Sequence, residues 1–147
     1  MIKPKDVEIL NILVDNARLS AREVAKKAGV SAVTAINKIK ELEKSGVIKG
    51  YSAEIDSEKI GYDVHAIIRL QIAKGKLFEV ENKIAVHPNV FAVYDVTGEF
   101  DALVITKFKS RKVLDTFLKK IQGYDFVQRT ETQLILNTIK ERNIKVE

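Results

Sequence analysis

Between Ser20 and Tyr51 the chain reads as two capped helices joined by a tight turn, the second basic and half-exposed, and few folds accept that arrangement. Ser20-Ala-Arg-Glu is a capping box: the Ser20 hydroxyl can accept from the third helical N–H while Glu23 reaches back to the Ser20 amide. Ala21, Val24, Ala25 and Ala28 share one face at helical spacing, and their small size lets another helix approach closely. Gly29 stops the helix by tolerating the left-handed conformation. Ser31 caps the next helix almost at once, leaving about three residues of turn, as a helix-turn-helix requires.

The second helix runs to Lys44, with Gly46 as its stop, and turns Ala35, Ile39 and Leu42 inward with Ile36 at the edge. What remains is Ser31, Ala32, Val33, Thr34, Asn37, Lys38 and Glu41, small, hydrogen-bonding or cationic groups that suit a DNA major groove. A plainer reading stands beside this one. Lys is a common exposed helix former, Glu41 and Glu43 dilute the positive field, and paired helices also occur in ordinary bundles.

The first helix spans Lys5–Asn16, with Val7, Leu10, Leu13, Val14 and Ala17 on one face and Ile9 and Ile12 widening it, so residues 1–50 form a trihelical head. Val47–Ile55 has strand character, and residues 51–62 read as a hinge strand closed by the turn Asp56–Lys59. Residues 63–147 then alternate: strand Val64–Ile72, helix Leu77–Ala85, strand Val90–Val96, the turn Thr97-Gly98-Glu99-Phe100 and strand Asp101–Phe108. Helical spacing returns at Val113, Leu114, Phe117, Leu118 and Ile121, before a last strand from Val127 to Ile139. The fold class is α+β, with a βαββαβ second domain whose antiparallel sheet carries two helices on one face. Ile68, Leu70, Ile72, Tyr94, Val96, Leu103, Ile105, Leu134 and Leu136 exceed what one helical layer covers, which predicts sheet-to-sheet dimerisation.

Charge is unevenly placed: residues 1–50 hold ten Lys or Arg against six Asp or Glu, while the rest is nearly balanced. That modest surplus supports only weak binding by one head, so tight sites require two heads on a dimer. There is no cysteine, and His65 and His87 lie in no metal-ligand spacing. His87-Pro88-Asn89 reads as a turn with a solvated histidine. With no catalytic constellation, no phosphate-cradling glycine loop, no membrane-length apolar run and no apolar export region, the chain reads as a cytoplasmic non-enzyme without a cofactor.

Both halves together resemble the leucine-responsive and asparagine-responsive (Lrp/AsnC) family of bacterial and archaeal transcription regulators. In the head the likeness rests on Ala17-Arg18-Leu19-Ser20, Val24-Ala25-Lys26-Lys27, Val30-Ser31 and the run Leu42 to Tyr51. In the second domain it rests on Val96 to Asp101 and on Arg129-Thr130-Glu131-Thr132. The resemblance implies a winged or extended helix-turn-helix joined by a hinge strand to a ferredoxin-like ligand-sensing domain. It also implies homodimers that associate to tetramers or octamers on double-stranded DNA, with a small effector, usually an amino acid, bound where dimers meet.

On that resemblance the effector residues are Thr97, Gly98, Glu99, Phe100 and Asp101 with Thr130 and Thr132. Gly98 lets backbone N–H groups face an α-carboxylate, and Asp101 can accept from an α-ammonium. The plainer reading makes Gly98 a hairpin turn that Asp101 stabilises. For DNA, Ser31, Thr34, Asn37 and Lys38 are the base-side candidates, Val33 a methyl contact, and Lys38, Lys40 and Lys49 the phosphate contacts. The family's recognition helix commonly carries arginine near Asn37 and Lys38; here Asn37 can pair with adenine instead. The rival reading is an architectural DNA-binding protein of low sequence specificity with no effector.

Overall fold

Three helices build the head: α1 (Pro4–Asp15), α2 (Ala21–Ala28) and α3 (Ala32–Lys44). The capping box at α2 closes as its sequence dictates, Ser20 Oγ accepting from the Glu23 amide at 3.2 Å and Glu23 Oε2 from the Ser20 amide at 2.7 Å. Gly29 ends α2 at φ +65°, a conformation that an L side chain resists, and Ser31 Oγ starts α3 by accepting from the Thr34 amide at 3.1 Å. Pro4 opens α1, where its missing N–H costs nothing.

The computed structural model describes residues 2–147. They form two units, one holding the chain up to Glu54 together with Lys140–Glu147, the other Ile55–Ile139. The head's core joins Ile9, Leu10 and Leu13 of α1 to Val24 and Ala28 of α2 and Leu42 of α3. Ile9, expected at the margin of the α1 stripe, is fully buried, whereas Ala17 is exposed. The extended backbone of Asn16 ends the helix first, so helical periodicity no longer governs Ala17.

The hinge strand expected within residues 51–62 does not form, nor does any wing: the head contains no strand among the described residues. A strand needs a ladder partner, and among the described residues the only ladders are those of the second unit's sheet. The turn at its end is real, a single 3₁₀ turn over Glu58–Ile60.

The second unit has the expected βαββαβ order: β1 (Val64–Ile72), α4 (Leu77–Val80) running on as a π-helical turn through Glu81–Ala85, β2 (Val90–Asp95), β3 (Ala102–Phe108), α5 (Arg111–Gln122) and β4 (Val127–Ile135). The sheet order is β2-β3-β1-β4, antiparallel throughout. β4 stops at Ile135, not Ile139, its ladder with β1 ending at the pair His65–Ile135.

Ile68, Leu70 and Ile72 are buried with Val104 and Phe108 against Val80, Ile84, Leu114, Phe117 and Ile121. They are therefore not on the uncovered face, where the sequence reading put them. Ile67 pairs with Ile105 and Arg69 with Leu103, so even positions of β1 face even positions of β3, and Ile68 cannot share a face with Leu103. Leu134, opposite Ala66, likewise belongs to the covered face, while Leu136 lies beyond β4. The uncovered face carries Ile67, Leu103, Ile105 and Tyr94, the last opposite Leu103. His87 is half-buried, not fully solvated: its ring meets the Phe117 ring edge-on at 4.8 Å.

Candidate DNA-reading helix and effector turn

Burial of Ala35 and Leu42, with Ile39 packed on the same core, fixes which side of α3 faces outward. Val33 is 67% exposed, and Asn37 and Lys40 are exposed with it. Ser31 and Thr34 hydroxyls lie 2.8 Å apart and serve the helix start. Lys49 is exposed in the segment after α3.

Lys38, a base-side and phosphate candidate, is engaged within the head. Its ammonium donates to Asp6 Oδ1 at 2.6 Å, with the two side chains 20% and 13% exposed, so it ties α3 to the first turn of α1. That hydrogen bond is the largest cause holding the Asp6 carboxyl below its ordinary 3.8, followed by the Lys3 amide. Nothing in the sequence pointed from Asp6 to α3.

In the second unit the turn between β2 and β3 exposes Thr97, Gly98 and Glu99. Gly98 sits at φ +114° with open space where a Cβ would be. Asp101 stitches this turn to β1: its Oδ2 accepts from the Ile72 amide at 2.7 Å, and its own amide donates to the Leu70 carbonyl at 2.9 Å. One carboxylate oxygen of the expected ammonium acceptor is thus engaged by backbone. Phe100 is buried beneath two guanidinium groups, Arg129 at 5.2 Å and Arg69 at 5.8 Å from its ring centre. Arg129 also donates to Glu99 Oε1 at 2.6 Å. Thr130 Oγ1 accepts from Gln122 Nε2 at 2.9 Å. Thr132 lies opposite Ile68 and Thr130 opposite Leu70, on the helix-covered face.

The turn at 97–101 and the start of β4 therefore meet at one end of the sheet through β1. The sequence reading missed Arg69 and Arg129, which stand beside Phe100, and Gln122, which meets Thr130 on the opposite, helix-covered face of the sheet. Arg129 had a signal, since it immediately precedes Thr130 in the motif that carried the resemblance; Arg69 and Gln122 are brought in by strand register and helix packing alone.

A capped helix-turn-helix followed by an antiparallel ferredoxin-like sheet defines a two-domain protein with a helix-turn-helix head, and the fold alone does not assign its function. Residues 2–49 match the family model for winged helix-turn-helix DNA-binding, and residues 65–144 match that for the Lrp/AsnC ligand binding domain. The chain is 42% identical over 141 residues to an uncharacterised HTH-type transcriptional regulator of Pyrococcus abyssi, covering 96% of each chain. Its fold matches the structure of Escherichia coli AsnC with a TM-score of 0.90 at 28% identity, over 99% of each chain. It also matches a Neisseria meningitidis transcriptional regulator solved with L-Met, with a TM-score of 0.93 at 24% identity, over 100% of this chain and 97% of that one. The chain belongs to the Lrp/AsnC family of transcriptional regulators and is not an enzyme. Among its described residues no helix is long and apolar enough to cross a membrane.

Proposed function

We propose that the protein is a sequence-specific cytoplasmic regulator whose α3 reads the major groove from a homodimer and whose effector is an amino acid bound at the 97–101 turn. The single observation that carries the DNA reading is the outward face of α3, on which Val33, Asn37 and Lys40 stand clear of the buried Ala35 and Leu42. Asn37 offers a bidentate amide for adenine, Val33 an apolar contact for a thymine methyl, and Lys40 and Lys49 offer phosphate contacts. Ser31 and Thr34 take part only as far as their capping bonds allow, and Lys38 acts by holding α3 in place. In this reading residues 1–50 are the reader, 51–62 the hinge, and 63–147 the sensing and oligomerising part, apart from the final residues that join the head.

Dimerisation is supported by Ile67, Tyr94, Leu103 and Ile105 on the uncovered sheet face, a set of apolar side chains that no helix covers. The hinge, unpaired in one chain, gains a ladder partner from a second copy. An amino-acid effector is supported by the open Gly98 turn beside Arg129 and Glu99, and by the L-Met held by the Neisseria regulator of the same fold. Its carboxylate would meet the turn amides and Arg129; its ammonium would meet Glu99 and the second oxygen of Asp101. Dimers meeting at this turn assemble to tetramers or octamers, and an effector that prefers one assembly shifts the spacing of the heads.

Selection of bound sequences from a random duplex library at physiological salt, with and without a pool of amino acids, tests this. An enriched palindrome that changes with the pool is the expected result. DNA retained without enrichment would favour the architectural reading, and no retained DNA would sink the assignment of α3. An enriched palindrome indifferent to the pool would remove the effector.

A further inference from the structure

The last eight residues belong to the head, not to the sheet that precedes them, and one side chain explains how they are held. Asn11 on α1 reads the backbone of Val146 at two points: its Oδ1 accepts the Val146 amide at 2.9 Å, and its Nδ2 donates to the Val146 carbonyl at 2.9 Å. A neighbouring strand would satisfy an extended segment in this way; here a single amide does so. The Val146 side chain packs against the core cluster of Ile9, Leu10, Leu13 and Val24. Arg142, Asn143, Ile144 and Val146 form one wall of a cleft of about 660 Å³. Lys145 lies 3.7 Å from Asp15, but both groups are exposed and contribute little.

The docking is specific and weak. Leu136, Ile139 and Ile144 are 86%, 93% and 84% exposed, so Val146 is the one apolar anchor among them. A contact built from two hydrogen bonds and one half-buried valine opens and closes at low cost. Only residues 136–139 separate the end of β4 from this docked segment.

We propose that Lys140–Glu147 is a strap, covalently continuous with β4, whose non-covalent docking on α1 completes the head and gives it a second connection to β4, so that strap occupancy sets operator affinity alongside the hinge. The effect on affinity rests on the proposed DNA reading; the docking does not.

Amide exchange at Val146, read by NMR in the full chain without DNA, tests the docking directly. The wild type is expected to protect this amide by about tenfold or more over the unfolded rate. Asn11→Ala should remove about tenfold of that protection, the scale of a lost hydrogen-bond pair, and should shift the operator dissociation constant by about threefold or more. Val146→Ala, which leaves α1 untouched, should shift the operator constant in the same direction should Asn11→Ala prove unstable. An unprotected Val146 amide in the wild type, or protection indifferent to Asn11→Ala, would overturn the strap. Protection that rises with protein concentration would overturn it too, by giving the tail to a neighbouring copy. Lost protection with unchanged operator affinity would overturn the regulatory part, and failure to find any operator would bear on the DNA reading alone.

Discussion

Asp6 in the first turn of α1 accepts a hydrogen bond from the Lys38 ammonium at 2.6 Å, which ties the reading helix to the start of the first helix. Its other oxygen accepts from the Lys3 amide at 2.9 Å, so capping α1 and holding α3 are done by one carboxylate. Lys38, then Lys3, hold its pKa below the ordinary value. A carboxyl depressed on folding contributes stability above its unfolded pKa, and that stability is lost as pH falls through the folded value. Asp6→Asn should therefore lower stability at pH 7 by about 1 kcal/mol, and the gap to wild type should close below about pH 4. Denaturant unfolding at neutral and acid pH reads this directly; a gap that persists in acid would mean the charge on Asp6 is irrelevant.

The same tie separates Lys38 from its neighbours on DNA. Asn37→Ala should cost about 1–3 kcal/mol on the preferred operator and relax choice at one base pair, whereas Lys40→Ala should weaken all duplexes alike and reduce the salt slope by about 1. Lys38→Ala should instead lower the melting temperature of the head. Anisotropy titrations on matched and mismatched duplexes across a salt series distinguish these outcomes, and selectivity lost in Lys40→Ala with an unchanged salt slope would reverse the assigned roles.

What the sequence made legible was local. Ser20 with Glu23, Gly29 and Ser31 interact within a few residues, so the caps and the bounds of α2 and α3 followed from spacing alone. The order of strands and helices followed for the same reason. Lys38 with Asp6, Asp101 with Ile72, and Asn11 with Val146 join residues far apart in the chain, and no periodicity encodes such a pairing. The faces of the sheet were misread for a related reason: register between β1 and β3 decides which side chains are neighbours, and an error of one residue exchanges the faces. The hinge strand was expected from composition, but a strand is a property of two segments, and this chain supplies one.

Gly98 is the residue at which backbone geometry constrains the turn most sharply. At φ +114° a side chain is strained although nothing crowds it, so Gly98→Ala should cost about 1–3 kcal/mol through the backbone alone. Gly50, equally open and without a positive φ, is its control: Gly50→Ala should be neutral or stabilising by up to about 1 kcal/mol. Thermal unfolding of the two variants measures the contrast, and equal melting temperatures would show that the turn relaxes freely around position 98.

His87 offers a titration with a defined sign. Burial, and secondarily the Lys120 charge, push its pKa below the ordinary 6.5. Its Nδ1 accepts from the Asn89 amide at 3.2 Å, which only a ring with a bare Nδ1 can do, so the folded chain holds the neutral form. The unfolded chain then binds a proton that the folded chain refuses, and stability must fall as pH drops below about 6.5, levelling once the folded value is passed. In an NMR titration the His87 midpoint should lie below 6.5, and Lys120→Gln should raise it only partway, because burial is the larger cause. Full recovery to 6.5 in that variant would make charge the dominant cause. A wild-type midpoint at 6.5 or above would mean that the ring sits in water, and its contact with Phe117 would then contribute nothing to the packing of α5.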